Sequence, residues 1–199
     1  MPQDLFASAQ WFGSDTQFHR LYPAELLAQA SMHWTPLAVA EKAAAFLAAE
    51  KNVKILDIGS GAGKFCLAAA YYQPAAIYTG VEQRAGLVQY ANDALKKLNL
   101  PQVSFIHANI DRIDFSAYDH FYFFNAFHEN IAETYRIDEQ LSYSPALYHR
   151  YSRYVYRQLE KKPAGTRLAT FHSTETEVPA SYHVTGSDEN DLLKYWIKV

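Results

Sequence analysis

Three observations in this chain predict an α/β fold with a largely parallel sheet. Val53, Ile55, Leu56 and Ile58 form a short apolar run of the kind found in strands buried on both faces. That run feeds directly into Gly59, Gly61 and Gly63 and then into a helical stretch from Phe65 to Ala70. From there to the C-terminus, strand-like and helix-like segments alternate and close on two adjacent strand-like runs.

The spacing of the glycines narrows the chemistry. Glycines let a backbone approach a ligand, and a helix start offers free N–H groups. A dinucleotide site wants G-x-G-x-x-G, but the third glycine position is Lys64. This disfavours a nicotinamide-dependent oxidoreductase. No Gly-Lys-Ser/Thr closes a phosphate loop either. What stands is Asp57-x-Gly59-x-Gly61-x-Gly63, which resembles motif I of the class I S-adenosylmethionine (SAM)-dependent methyltransferases. A tight turn without a ligand is the plainer reading of the same residues, so the other elements decide.

Composition sets the outer bounds. At 199 residues the chain has length enough for one sizeable core. Its 15 Tyr and 12 Phe exceed ordinary usage and suggest an aromatic-lined pocket as well as core filling. A net charge of −3 gives no sign of a nucleic-acid partner, so a small-molecule or protein acceptor is expected. The single cysteine, Cys66, excludes an intrachain disulfide and a zinc cluster, and reads as a small buried hydrophobe. No metal site is expected. No signal-like or membrane-spanning apolar stretch is visible, so a cytoplasmic location is expected.

Residues 1–52 read as an N-terminal helical cap and 53–199 as the cofactor-binding domain. Trp11, Phe12, Phe18, Leu21 and Tyr22 form an aromatic entry with Asp15 and His19 interleaved. A short helix over 23–31 is followed by a longer one to about Glu50, with Thr35 as N-cap and Pro36 at its first position. The density of aromatics predicts that residues 1–35 close over the pocket. Strand two is Ala76 to Val81 and ends at Glu82; a helix from Arg84 to Leu98 follows and stops at Asn99-Leu100-Pro101.

Val103 to His107 is strand three, followed by Asn109 and Ile110. Phe121 to Phe124 is strand four, followed by Asn125-Ala126-Phe127 and the polar residues His128 and Glu129. A long polar segment, 129–144, has the length of a lid or substrate loop. Ser144 and Pro145 then open a helix with Tyr148, Tyr151, Val155 and Leu159 on one face and Arg150, Arg153 and Arg157 on another. The arginine row reads first as a solvated face, with contact to phosphate or a partner as the alternative. Strand five runs from Thr166 to His172. A short link over 173–180 leads to a hairpin of Ser181–Thr185 with Leu192–Val199.

The resemblance to class I SAM-dependent methyltransferases extends over residues 53–199. It implies a three-layer fold with a seven-stranded sheet of order 3-2-1-4-5-7-6, strand seven antiparallel. It implies S-adenosyl-L-methionine as cofactor, held by Thr35, Asp57, Gly59, Ser60, Gly61, Gly63, Glu82, Gln83, Asn109, Ile110 and Asn125. Within that set Glu82 is the ribose acceptor, and Asn109 meets the adenine amino group with Ile110 beside the base. Asn125 is the residue expected to orient the methyl acceptor, and His128 is the candidate base, although a plain loop role is the better reading for it. A SAM-binding sensor without turnover is the alternative from another functional class.

Overall fold

In the computed structural model, which describes residues 10–138, 141–173 and 177–199, β1 (Lys54–Ile58) lies in the interior of a seven-stranded sheet. The sheet is completed by β2 (Ile77–Glu82), β3 (Val103–His107), β4 (His120–Phe124), β5 (Arg167–Phe171), β6 (Tyr182–Asp188) and β7 (Leu193–Lys198). The strand order is β3-β2-β1-β4-β5-β7-β6, as the resemblance implies. β1 to β5 run parallel, and β7 is antiparallel to both β5 and β6.

Alternation along the strands divides the core between the two faces. Ile55 and Tyr122 point to one face, and Leu56, Ile58, Phe121 and Phe123 to the other. The first face is covered by α3 (Leu37–Leu47), α4 (Lys64–Tyr72) and α5 (Ala85–Leu98). Phe65 of α4 stacks on Tyr122 of β4 with centroids 3.7 Å apart. The second face is covered by α6 (Pro145–Glu160), which buries Tyr151, Val155 and Leu159. Ser144 caps α6 with its hydroxyl oxygen, accepting from the Leu147 N–H at 3.2 Å, and Pro145 follows at the first turn.

The N-terminal segment packs on the first face as two short helices, α1 (Asp15–His19) and α2 (Ala30–His33), joined by a 3-10 turn over Ala24–Gln29. The predicted single helix over 23–31 is thus a tight turn that widens into α2. The start of α3 also differs from expectation. Its first residue is Leu37, and the Leu37 N–H donates to Asp15 Oδ1 at 3.1 Å. Thr35 is not the cap, because its hydroxyl is spent on the Tyr122 hydroxyl at 3.0 Å. A side chain 22 residues upstream takes over the capping.

The C-terminal hairpin is longer than predicted. β6 continues to Asp188 because Glu189, Asn190 and Asp191 all take left-handed backbone and turn the chain within three residues. Lys42 of α3 pairs with Asp188 and Glu189 at 3.0 and 2.8 Å, tying the hairpin to the first face. The register of β6 on β7 slips between Val184 and Gly186, a β-bulge at the sheet edge. The expectation of a reduced link before β6 falls partly on 174–176, outside the described residues. Among the described residues, no helix is long and apolar enough to cross a membrane.

Candidate functional site

The carboxyl ends of β1, β2 and β4 open into one cleft, at the point where the strand order reverses direction. Gly59, Gly61, Glu82, Gln83, Asn109, Ile110 and Asn125 line it, with Val81, Leu87 and Phe127 as apolar walls. Met32, His33 and Trp34 of the N-terminal segment line it from above. Thr35, Asp57 and Ser60 line a smaller adjoining cavity that shares Gly59, His33 and Trp34 with the cleft. Gly63 and His128 line neither.

The glycine turn is shaped by different demands at each glycine. All three have positive φ, which disfavours any side chain. A Cβ on Gly59 would sit 2.5 Å from Ala126 Cβ, so the turn after β1 touches the end of β4. A Cβ on Gly63 would sit 2.4 Å from the Phe105 ring, so this glycine serves helix-to-strand packing. A Cβ on Gly61 would meet nothing within 4 Å, which leaves its backbone open to the cleft. Gly80, inside β2, was not anticipated; a Cβ there would meet Ser60 and Phe105 at 2.6 and 2.7 Å. A glycine inside a strand run was the available signal.

Glu82 ends β2 as expected and is buried. Its Oε2 accepts from the Gly61 N–H at 3.2 Å and its Oε1 from the Arg84 N–H at 2.9 Å. A carboxylate has about four lone-pair sites, so acceptor capacity toward the cleft remains. Burial pushes its carboxyl upward, against the two backbone N–H groups and the Arg84 charge. Asn109 Nδ2 donates to the Tyr151 hydroxyl at 2.7 Å, and its Oδ1 accepts from the Asp111 N–H at 3.4 Å. Ile110 is buried against the cleft.

Asp57 lies deeper and is almost fully buried. Burial pushes its carboxyl up to about 8; the Cys66 thiol, donating at 3.5 Å, opposes this, and the nearby Glu82 charge adds to it. Lys64, at the N-terminus of α4, is buried as well. It forms an ion pair with Asp15 and lies 3.3 Å from His19 Nε2, so the cap is fastened to the helix that follows the glycine turn.

Asn125 turns the chain off β4 with φ +45°, a left-handed conformation that asparagine tolerates. Among the described residues its Oδ1 is buried without a hydrogen-bond partner while the residue lines the cleft. Buried polar atoms are rarely left so, and those that are call for a reason. His128 instead packs edge-on to the Tyr148 ring, with centroids 5.9 Å apart.

Sequence reading missed a charged network on the cleft rim. The Arg84 guanidinium holds Glu129 and also donates from Nε to Asp138 at 3.0 Å and from Nη2 to the Tyr143 hydroxyl at 2.8 Å. Gln83 Nε2 donates to the same Glu129 at 3.0 Å. The partners lie up to 59 residues from Arg84, so no local pattern signals them.

These features fit an adenosyl group attached to a charged amino-acid tail. An apolar slot beside Ile110 suits a flat base, the Glu82 carboxylate suits vicinal hydroxyls, and the bare Gly61 backbone admits close approach. A family model described as a methyltransferase domain matches residues 49–186. A tRNA (guanine-N(7)-)-methyltransferase of Synechococcus sp. (strain JA-3-3Ab) is 48% identical over 56 residues, which is 28% of this chain and 24% of that protein. The matched segment thus spans about a quarter of the curated relatives' length. TrmN from Thermus thermophilus superposes with a TM-score of 0.61 at 15% identity, covering 87% of this chain and 52% of that one. An RNA methyltransferase from Salinibacter ruber, solved with S-adenosyl-L-homocysteine, gives a TM-score of 0.58 at 18% identity, covering 82% and 92%.

These relatives overturn one expectation. The net charge of −3 argued for a small-molecule or protein acceptor and against nucleic acid, yet the two curated relatives are named for tRNA and the Salinibacter structure for RNA. Net charge averages over every face of a molecule and does not describe one of them. The strand order, the glycine turn at the switch point and the family match lead to one conclusion: the chain belongs to the methyltransferase-domain family, with the class I fold of the SAM-dependent methyltransferases.

Proposed function

We propose that this chain transfers a methyl group from SAM to a base of an RNA, with tRNA the first substrate to test. The observation that carries the acceptor class is the 48% identity to a tRNA (guanine-N(7)-)-methyltransferase over 56 residues. SAM supplies a methyl carbon already activated by its sulfonium. In this reading Glu82 receives the ribose hydroxyls, Asn109 and Ile110 hold the adenine, and Gly59, Gly61 and Gln83 frame the cofactor. Thr35, Asp57 and Ser60 surround its amino-acid end in the adjoining cavity.

The protein's task is then positioning and exclusion of water. The contact of Gly59 with Ala126 brings the glycine turn beside Asn125. The unpartnered Asn125 Oδ1 supports a role in orienting the incoming base by accepting a hydrogen bond from it. Asparagine carries no charge to compete for the sulfonium. Trp34 and Phe127, which both line the cleft, offer flat apolar surface to a base. Where the acceptor is a ring nitrogen with a free lone pair, such as guanine N7, no proton is released and no side chain is required as a base for the step.

The test is incubation with methyl-labelled SAM and unfractionated bacterial tRNA, followed by digestion to nucleosides and mass spectrometry. A labelled nucleoside supports the reading. Label transfer to small molecules or protein but to no nucleoside overturns it. SAM binding with no turnover on RNA, protein or small molecules favours the sensor.

A further inference from the structure

One charged surface is not used by the cleft. Arg150, Arg153, Arg157 and Lys161 follow one another at three- and four-residue spacing along α6. All four are exposed, and Arg112 reaches the same side from the turn Ile110–Arg112 with its side chain 80% exposed. Together with Asp111, Tyr154 and Gln158, the three α6 arginines and Lys161, the residue that caps the helix, line a groove of about 410 Å³. Asp111 is the carboxylate in this groove, and it pairs with Arg150 and Arg112. Among the described residues Arg153, Arg157 and Lys161 have no carboxylate partner. Glu160, next to Lys161, is turned toward the Ser181 hydroxyl instead.

The groove and the cleft are lined by neighbouring residues of the same two elements. Tyr151 lines the cleft from the same helix, and Asn109 and Ile110 line it from the turn whose next residue, Asp111, lines the groove. The Tyr151 hydroxyl accepts from Asn109, so helix and turn are held in register at the shared wall. From Arg150 to Lys161 the helix rises about 16 Å. In a chain with 18 basic and 21 acidic residues, four cations against one carboxylate in the lining of one groove is a local concentration, with Arg112 and Asp114 beside it. Unpaired arginine forks beside a groove suit phosphodiester oxygens, and a tyrosine edge among them suits a sugar or base.

We propose that this α6 groove carries the phosphate backbone of the RNA whose base enters the cleft. The inference rests on the proposed RNA substrate and assigns the surface that holds it.

The test measures binding of unfractionated bacterial tRNA by the full chain between 50 and 200 mM salt. The wild type is compared with Arg153→Gln/Arg157→Gln and with a control of equal charge loss elsewhere, Lys51→Gln/Lys96→Gln. Each phosphate contact contributes roughly 0.7–0.9 to the slope of log affinity against log salt. The arginine pair is therefore expected to flatten the slope by about 1.5 and to weaken binding at least tenfold at low salt. SAM affinity should stay unchanged in every variant, which also reports folding. An unchanged slope with intact wild-type binding overturns the groove while the RNA reading stands. Equal losses in the lysine control overturn it too. Absence of wild-type tRNA binding removes both, and shows in that arm alone. Wild-type binding to anionic vesicles rather than tRNA would make the groove a membrane contact instead.

Discussion

Arg84 grips both oxygens of Glu129, with Nη1 at 3.2 Å from one and Nη2 at 2.6 Å from the other. Both residues are buried, and Arg84 lies two positions beyond Glu82. The bond therefore joins the tip of β2 to the start of the 129–144 segment. Removing one partner of a buried pair typically costs about 3–5 kcal/mol. Glu129→Ala should fall at the lower end, because Asp138 and Tyr143 still bind the guanidinium. Urea denaturation measures this. Arg84→Lys should also destabilise, since an ammonium cannot reproduce the two-pronged contact.

Glu82→Ala should weaken SAM binding by tenfold or more, as charge-assisted hydrogen bonds contribute roughly 1.5–3 kcal/mol each. It should also lower thermal stability, because the Gly61 and Arg84 N–H groups lose their acceptor. Glu82→Gln separates the two effects: it retains an acceptor for the turn but loses the charge. Calorimetric titration showing wild-type SAM affinity in both variants would refute the ribose role.

Asn125→Ala should lower kcat/KM about tenfold, equivalent to about 1.4 kcal/mol, with SAM affinity nearly intact. Equal losses of SAM affinity and turnover would contradict a contact to the acceptor. His128→Ala should leave the rate almost unchanged, because its ring packs on Tyr148 outside the cleft. A loss near 100-fold with a changed pH profile would instead make His128 a general base.

Asp57 makes stability depend on pH in an unusual direction. Its carboxyl is raised by burial from 3.8 in the unfolded chain to about 8 in the fold. Between those values the folded state binds the extra proton, so this group's contribution falls as pH rises from about 4 to 8. Asp57→Asn, which resembles the protonated acid, removes that dependence. The Tm of the variant relative to wild type should therefore climb steadily from pH 5 to pH 8. A pH-independent difference would place the ionised form in the native state throughout.

The features legible in the sequence are those with local causes. The β1 run, the glycine turn, Glu82 at a strand tip and Ser144-Pro145 at a helix start each declare themselves within a few residues. What was not legible is made by distant partners. Thr35 looked like a cap, but Asp15 provides the acceptor, because Thr35 is drawn to Tyr122. Arg84 looked like an ordinary helix start, while its partners come from a segment more than 40 residues on. The longer β6 depended on three consecutive left-handed residues at 189–191, which composition allows but does not specify. The acceptor expectation rested on a net charge of −3, which averages over every face; the arginine row of α6 was visible in the sequence, but spacing alone does not distinguish a solvated face from a binding one.

The slip between Val184 and Gly186 shapes the sheet edge that this molecule presents to other copies of itself. β6 is the outermost strand, and Val184 stands exposed on it. A straight outer strand offers its free amides and carbonyls as a template on which a neighbouring chain can polymerise. The extra residue at the bulge bends that template and breaks its repeat. Deleting Thr185 would restore an even repeat, and the deletion protein should accumulate in the insoluble fraction on expression while the cleft at the ends of β1, β2 and β4, three strands away from β6, stays intact.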